Sequence, residues 1–333
     1  MSETIKAATS SLSTETRQPN FLVIGERRSG TTTLARWMQA HPGIFLHPHM
    51  DIGYFIDKEL VGRMEWLEGA VDYDRWGEEH SKAAYIDKFR EASEAQSAIG
   101  EKSADYFFWT HSHQRIKEYF PDIKLLITLR NPVERAWSMY WNERGKGREQ
   151  LSFEEAIEAE QGRIEKSDYA RNHLSYVSRG FYDESLERLY RTFAPEQVYV
   201  LILEESRREP QKYMKEVYNF LEVDDAQGFD NVEKQFNRNW ATVPREIFKK
   251  YPALGALEAK YFWLISKVSR RLYRKNVYKR RRMMLLLSKP FRKSKESFKM
   301  KEATRAKLQA LYRPHIQKLE QMLGKDLSVW LQD

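Results

Sequence analysis

The sequence predicts an α/β fold, with a central parallel sheet flanked by helices and a largely helical C-terminal part. Three observations carry this. Apolar, strand-like runs occupy residues 21–24, 124–129 and 197–203. Between them lie stretches with apolar residues at three- and four-residue spacing, the mark of helices. Strands alternating with helices call for parallel neighbours joined by right-handed crossovers. A length of 333 residues and a hydrophobic fraction of 41% supply enough apolar surface for a substantial core.

In chain order, residues 1–19 are rich in Ser and Thr, end at Pro19 and read as a disordered tail. Residues 20–331 read as one domain. Residues 21–24 are the first strand. Leu34, Trp37 and Met38 then recur at helical spacing up to His41 and Pro42. Residues 57–95 mix helical periodicity with many charges. Residues 124–129 form the strongest strand, preceded by Pro121 and ended by Arg130 and Pro132. Pro132 suits the first turn of a helix that carries Val133, Ala136, Trp137 and Tyr140 on one face. Helices are expected over 153–164, 182–190 and 211–221, with a strand over 197–203, and the chain beyond about 245 is expected to be mostly helical.

Composition narrows the chemistry. There are no cysteines, which excludes disulfides, Cys-ligated zinc, iron–sulfur clusters and a thiol nucleophile. No apolar run approaches the roughly 18 residues of a membrane span, so no transmembrane segment is expected. The N-terminus lacks a signal-peptide pattern, and a cytoplasmic location is expected. The net charge of +8 suits an anionic partner. It is concentrated: residues 267–305 hold 16 Lys and Arg against Glu296 and Glu302. No zinc finger or RNA-binding motif accompanies this run, so no nucleic-acid partner is expected.

Two segments carry candidate chemistry. The stretch GERRSGTTT at residues 25–33 follows a strand and opens a helix, the frame of a phosphate-binding loop. Arg27 and Arg28 put positive charge in it, and Ser29, Gly30, Thr31, Thr32 and Thr33 supply hydroxyls and amides. A triphosphatase loop needs Lys after the second glycine, where Thr31 stands, and this argues against an ATPase or kinase. In the second segment, Arg130 closes a strand and Ser138 lies two turns into the next helix. Ligands collect at the carboxyl ends of such strands, and a guanidinium there can grip a phosphate. Arg130 or Arg135 can equally pair with Glu134.

Together these segments resemble the PAPS-dependent sulfotransferases, in particular the branch of heparan-sulfate sulfotransferases with its bacterial relatives. The matching stretches are GERRSGTTTL at 25–34, HPGI at 41–44, EKS at 101–103 with Tyr106 and Phe107, LRNPVER at 129–135 with Ser138 and Tyr140, FEEA at 153–156 and RGFY at 179–182. The C-terminal stretch from Met300 through Leu311 and Tyr312 to Trp330 also matches.

The resemblance implies a P-loop-like three-layer domain and the sulfuryl donor 3′-phosphoadenosine 5′-phosphosulfate (PAPS), with PAP as product. It implies that the loop from Arg27 to Thr33 holds the 5′-phosphosulfate, that Arg130 and Ser138 hold the 3′-phosphate, and that a basic loop at Lys293 and Lys295 covers the nucleotide. The acceptor would offer a hydroxyl or an amine on a glycan, a lipid or a small natural product. Two departures stand out: Arg28 replaces a usual Lys, and residues 50–55 read MDIGYF where relatives have KEPHFF, so Asp51 replaces a Glu base.

Asp51 is the first choice of base, Arg28 the group that neutralises developing charge, and Lys102 a group that orients the acceptor or neutralises the sulfuryl group. Lys102 can alternatively pair with Glu101 or Asp105. His47 and His49 are rival bases. No metal is expected, because His47/His49 and His111/His113 lack a carboxylate partner pattern. Residues 106–109 are aromatic and read as core or as a stacking surface. The alternatives are a PAP-binding module without catalysis and a P-loop nucleotide kinase.

Overall fold

The computed structural model describes residues 17–56, 81–145, 148–229 and 299–332, with a few isolated residues between 241 and 293. Five parallel strands form the central sheet: β1 (Phe21–Gly25), β2 (Ile44–Leu46), β3 (Ala98–Lys102), β4 (Lys124–Leu129) and β5 (Val198–Ile202). Their order is β2-β3-β1-β4-β5, so β1 lies at the centre. Phe21 is in register with Gly100 on one side and Lys124 on the other.

Helices cover both faces. Those used below are α1 (Thr31–Met38), α2 (Lys82–Asp87), α3 (Thr110–Tyr119), α4 (Pro132–Gly145), α5 (Phe153–Glu158), α6 (Glu160–Ile164), α7 (Asp168–His173), α8 (Tyr182–Tyr190), α9 (Leu203–Arg208), α10 (Pro210–Phe220) and α11 (Glu302–Leu323). Two buried clusters result, one on each side of the sheet. The smaller joins Phe21 and Val23 to Leu34, Trp37, Met214 and Tyr218. The larger joins Leu22, Ile24 and Ile127 to Tyr106, Trp137, Tyr176, Leu186, Tyr312 and Trp330. Adjacent residues of β1 enter different clusters because strand side chains alternate.

The expected strands at 21–24, 124–129 and 197–203 are present, and helices begin at Pro132 and Tyr182 as the pattern predicts. The helix expected over 153–164 is two helices. They break at Ala159, and the buried Glu160 carboxylate then accepts the amides of Val177 and Ser178 at 2.6 and 2.8 Å. Residues 1–16 of the expected tail and most of the basic segment at 267–305 fall outside the described residues, while Pro19 is described and buried.

Candidate active site

The glycine-bounded loop is shaped by close packing. A Cβ on Gly25 would lie 2.6 Å from Phe107 Cβ, and one on Gly30 would lie 2.5 Å from Leu203 Cδ1. Gly30 has φ 95°, in the left-handed region that glycine enters without steric cost. It precedes α1, whose first turn has neither a side-chain cap nor an acidic residue. Such a helix start presents amides and a positive dipole end. Ser29 and Thr31 are buried here, and Thr32 and Thr33 half-buried.

The two loop arginines have different surroundings. Arg28, at φ 70°, donates from Nε to Ser138 Oγ at 3.2 Å and from a terminal nitrogen to Asn142 Oδ1 at 3.4 Å. Arg130 reaches the Arg28 carbonyl at 3.5 Å and pairs with Glu134 at 3.3 Å. Glu134 also pairs with Arg305 at 2.6 Å. The structure therefore brings Arg28, Arg130 and Ser138 together at the carboxyl ends of β1 and β4. Arg130 is buried, and its Nε has no hydrogen-bond partner among the described residues. Burial lowers its pKa, and Glu134 opposes that.

Arg27 instead turns into the protein. Its guanidinium pairs with Asp105 and donates to the Asn172 carbonyl at 2.8 Å. Asp105 also receives Arg179 at 2.9 Å, and Arg179 binds Glu26 at 2.9 Å. Burial pushes the Asp105 carboxyl up, but Arg27 and Arg179 outweigh it and hold it below its ordinary value. Arg27, Asp105, Arg179 and Glu26 thus form a chain of alternating charges that holds the Arg27 side chain in place.

Lys102 ends β3, beside β1. Its Nζ lies 2.7 and 2.8 Å from the two carboxylate oxygens of Asp51. Glu101 and Asp105, the alternatives open in the sequence, are occupied elsewhere. Asp51 Oδ1 also accepts the Ala104 amide at 3.2 Å, and the Asp51 amide donates to the Lys102 carbonyl at 2.7 Å. Asp51 thus hangs on the strand end that bears its partner. His49 is exposed, and its amide donates to His47 Nδ1 at 3.1 Å, so that imidazole nitrogen is engaged by its own loop. Burial lowers the His47 pKa.

The aromatic stretch is core: Tyr106, Phe107 and Trp109 are buried, and the Arg179 guanidinium sits 4.1 Å from the centre of the Phe108 ring. Lys293 lies in a two-residue strand with its side chain outside the description, and Lys295 lies outside the described residues. The functional framework that the sequence reading missed is Glu26, Asp105 and Arg179, together with Glu101. Glu26, Arg179 and Glu101 stood within matched stretches, but nothing local marked Arg179 as the partner of Glu26 or Glu101 as the acceptor of three buried hydroxyls.

The family model described as "Sulfotransferase family" matches residues 19–227. Among curated proteins, bifunctional heparan sulfate N-deacetylase/N-sulfotransferase 3 of Homo sapiens is 29% identical over 211 residues, which is 62% of this chain and 22% of that protein. Membrane-associated sulfotransferase kil1 of Dictyostelium discoideum is 33% identical over 164 residues, 47% of this chain and 31% of that protein. The chain thus spans a third or less of the length of these relatives. A solved sulfotransferase from Alicyclobacillus acidocaldarius superposes with a TM-score of 0.65 at 25% identity, covering 95% of this chain and 100% of that one.

Proposed function

Because the chain belongs to the sulfotransferase family, we propose that it moves a sulfuryl group from PAPS to a hydroxyl or amine of an acceptor. One observation carries this reading: Arg28, Ser138 and Arg130 converge at two strand ends, with the Asp51–Lys102 pair at the neighbouring one. The uncapped start of α1 and the unpartnered Nε of buried Arg130 fit a ligand with two separate anionic groups.

In this reading the loop amides, Arg28 and the hydroxyls from Ser29 to Thr33 hold the 5′ end of the donor. Arg130 and Ser138 hold its 3′-phosphate. The donor supplies an activated sulfuryl group. Arg28 neutralises charge that develops on the leaving phosphate, which an arginine can do without giving up a proton.

Asp51 accepts the acceptor's proton. Its Oδ1 already takes Lys102 and the Ala104 amide, so Oδ2, which takes Lys102 alone, is the oxygen for that proton. Lys102 is buried and fixes the carboxylate, while the Asp51 side chain is 40% exposed and open to an acceptor. The acceptor is a glycan, lipid or small natural product. Among the described residues no helix is long and apolar enough to cross a membrane.

Thermal unfolding with PAP, ATP and AMP tests the donor. PAP should raise the midpoint most, because it fills both grips; at a hundredfold excess over Kd the gain is about 2.7 kcal/mol. Equal stabilisation by ATP and PAP would contradict the 3′-phosphate site.

A further inference from the structure

Behind the Asp51–Lys102 pair lies a fully buried carboxylate with no part in the scheme above. Glu101 precedes Lys102 on β3 and is wholly shielded from solvent. Its Oε2 accepts the Ser103 hydroxyl at 2.7 Å; its Oε1 accepts Tyr106 at 2.7 Å and Tyr85, from α2, at 3.3 Å. Two of these hydroxyls pass the contact on. Ser103 Oγ accepts the Gly53 amide at 3.0 Å, and the Tyr106 oxygen accepts the Phe55 amide at 3.4 Å. Two relays therefore run from one side chain to alternate amides of a single loop.

That loop needs an anchor. Asp51 has φ 61° and Gly53 φ 71°. For a residue with a Cβ the left-handed region costs roughly 1–2 kcal/mol, and such a conformation persists only where its surroundings over-determine it. The amide of Asp51 is tied to the Lys102 carbonyl at 2.7 Å. The relays tie the next two alternate positions. All three fixings start from β3 or the turn that follows it.

We propose that Glu101 is a positioning residue: through Ser103 and Tyr106 it fixes the backbone of residues 51–55, and so sets the direction of the Asp51 carboxylate. This rests on the reading of Asp51 as base. It assigns the stretch EKS a division of labour, with Lys102 holding the base's side chain and Glu101 its backbone.

Hydrogen exchange on the full chain tests it, with PAP as the ligand probe. Glu101→Met fills the space but accepts nothing. Amides of residues 50–56 should then exchange about tenfold faster or more, the usual scale for losing a buried hydrogen bond. Residues 124–129 of β4 should be unchanged, PAP affinity should hold, and kcat should fall without a change in KM for PAPS. Glu101→Gln keeps an oxygen for the tyrosines and an amide donor for Ser103, and should restore slow exchange.

Unchanged exchange in Glu101→Met, or equal acceleration in β4, overturns the proposal. If that variant does not fold, Ser103→Ala should free Gly53 alone and Tyr106→Phe should free Phe55 alone; no effect from either overturns it as well. Exchange and PAP binding require no acceptor, so the two readings fail separately. A loosened loop in a chain where Asp51→Asn retains full activity removes the base, not the anchor.

Discussion

The Lys102 ammonium is buried and bonds both carboxylate oxygens of Asp51, whose side chain is 40% exposed. A buried cation thus aims a carboxylate that solvent or an acceptor can reach. Asp51→Asn keeps the shape and removes the basicity. Turnover should fall by roughly a hundredfold or more, the scale of general acid–base help, with PAP affinity little changed. Lys102→Met should act through the same pair, so the double variant should be little worse than Asp51→Asn alone. Steady-state kinetics of the cycle decide this. If Asp51→Asn is fully active while His47→Ala or His49→Ala is dead, the base is a histidine.

Arg28 is held against Ser138 and Asn142. Arg28→Ala leaves the backbone conformation as demanding as before and removes the charge. Turnover should drop about a hundredfold or more, as for other groups placed at developing charge. Arg28→Lys should retain much of the activity, because the cation survives. Near wild-type kcat in Arg28→Ala would remove Arg28 from the chemistry.

Arg130 separates two nucleotides that differ at one phosphate. Arg130→Ala should weaken PAP binding by about ten- to a hundredfold, the range for losing a charge-assisted phosphate contact. AMP binding should hardly change. Titration calorimetry with both ligands reads the difference, and parallel losses would move the 3′-phosphate elsewhere.

Two buried groups give opposing pH terms. Burial pushes Glu101 from 4.5 up to about 7, and the nearby Asp51 charge adds to this against its hydroxyl donors. Its contribution to stability is full below about 4.5 and is lost as pH rises through 7. Burial lowers His113, on α3, from 6.5 to about 4, and Arg188 adds to this. That contribution is full above about 6.5 and is lost as pH falls towards 4. Each is on the order of 3 kcal/mol, and they oppose across nearly one window. Denaturant unfolding over a pH series should therefore show Glu101→Gln losing stability on acidification relative to wild type. His113→Gln should lose it as pH rises.

The strand β4 and the helix start at Pro132 were legible because each rests on a local pattern: an unbroken apolar run, and a proline after it. Strands β2 and β3 were not read. β2 is three residues long. β3 reads AIGEK, with a glycine and two charges, and every residue of it is buried. Gly100 is there because a Cβ would stand 2.2 Å from the Phe21 carbonyl. Glu101 and Lys102 are tolerated because hydroxyls and Asp51 satisfy them, and two of those partners, Tyr85 and Asp51, lie in other parts of the chain. The partners of Arg27 were hidden for a similar reason. Its sequence neighbours are loop residues, and the groups that claim it, Asp105 and Asn172, are distant in sequence.

The most direct test of the central claim is transfer itself. Protein, radiolabelled PAPS and a panel of amine and hydroxyl acceptors should yield PAP and a sulfated product identified by mass spectrometry, and the signal should vanish in Arg28→Ala. PAP binding with no label leaving the donor for any acceptor would contradict the account and make this a nucleotide-binding module without catalysis.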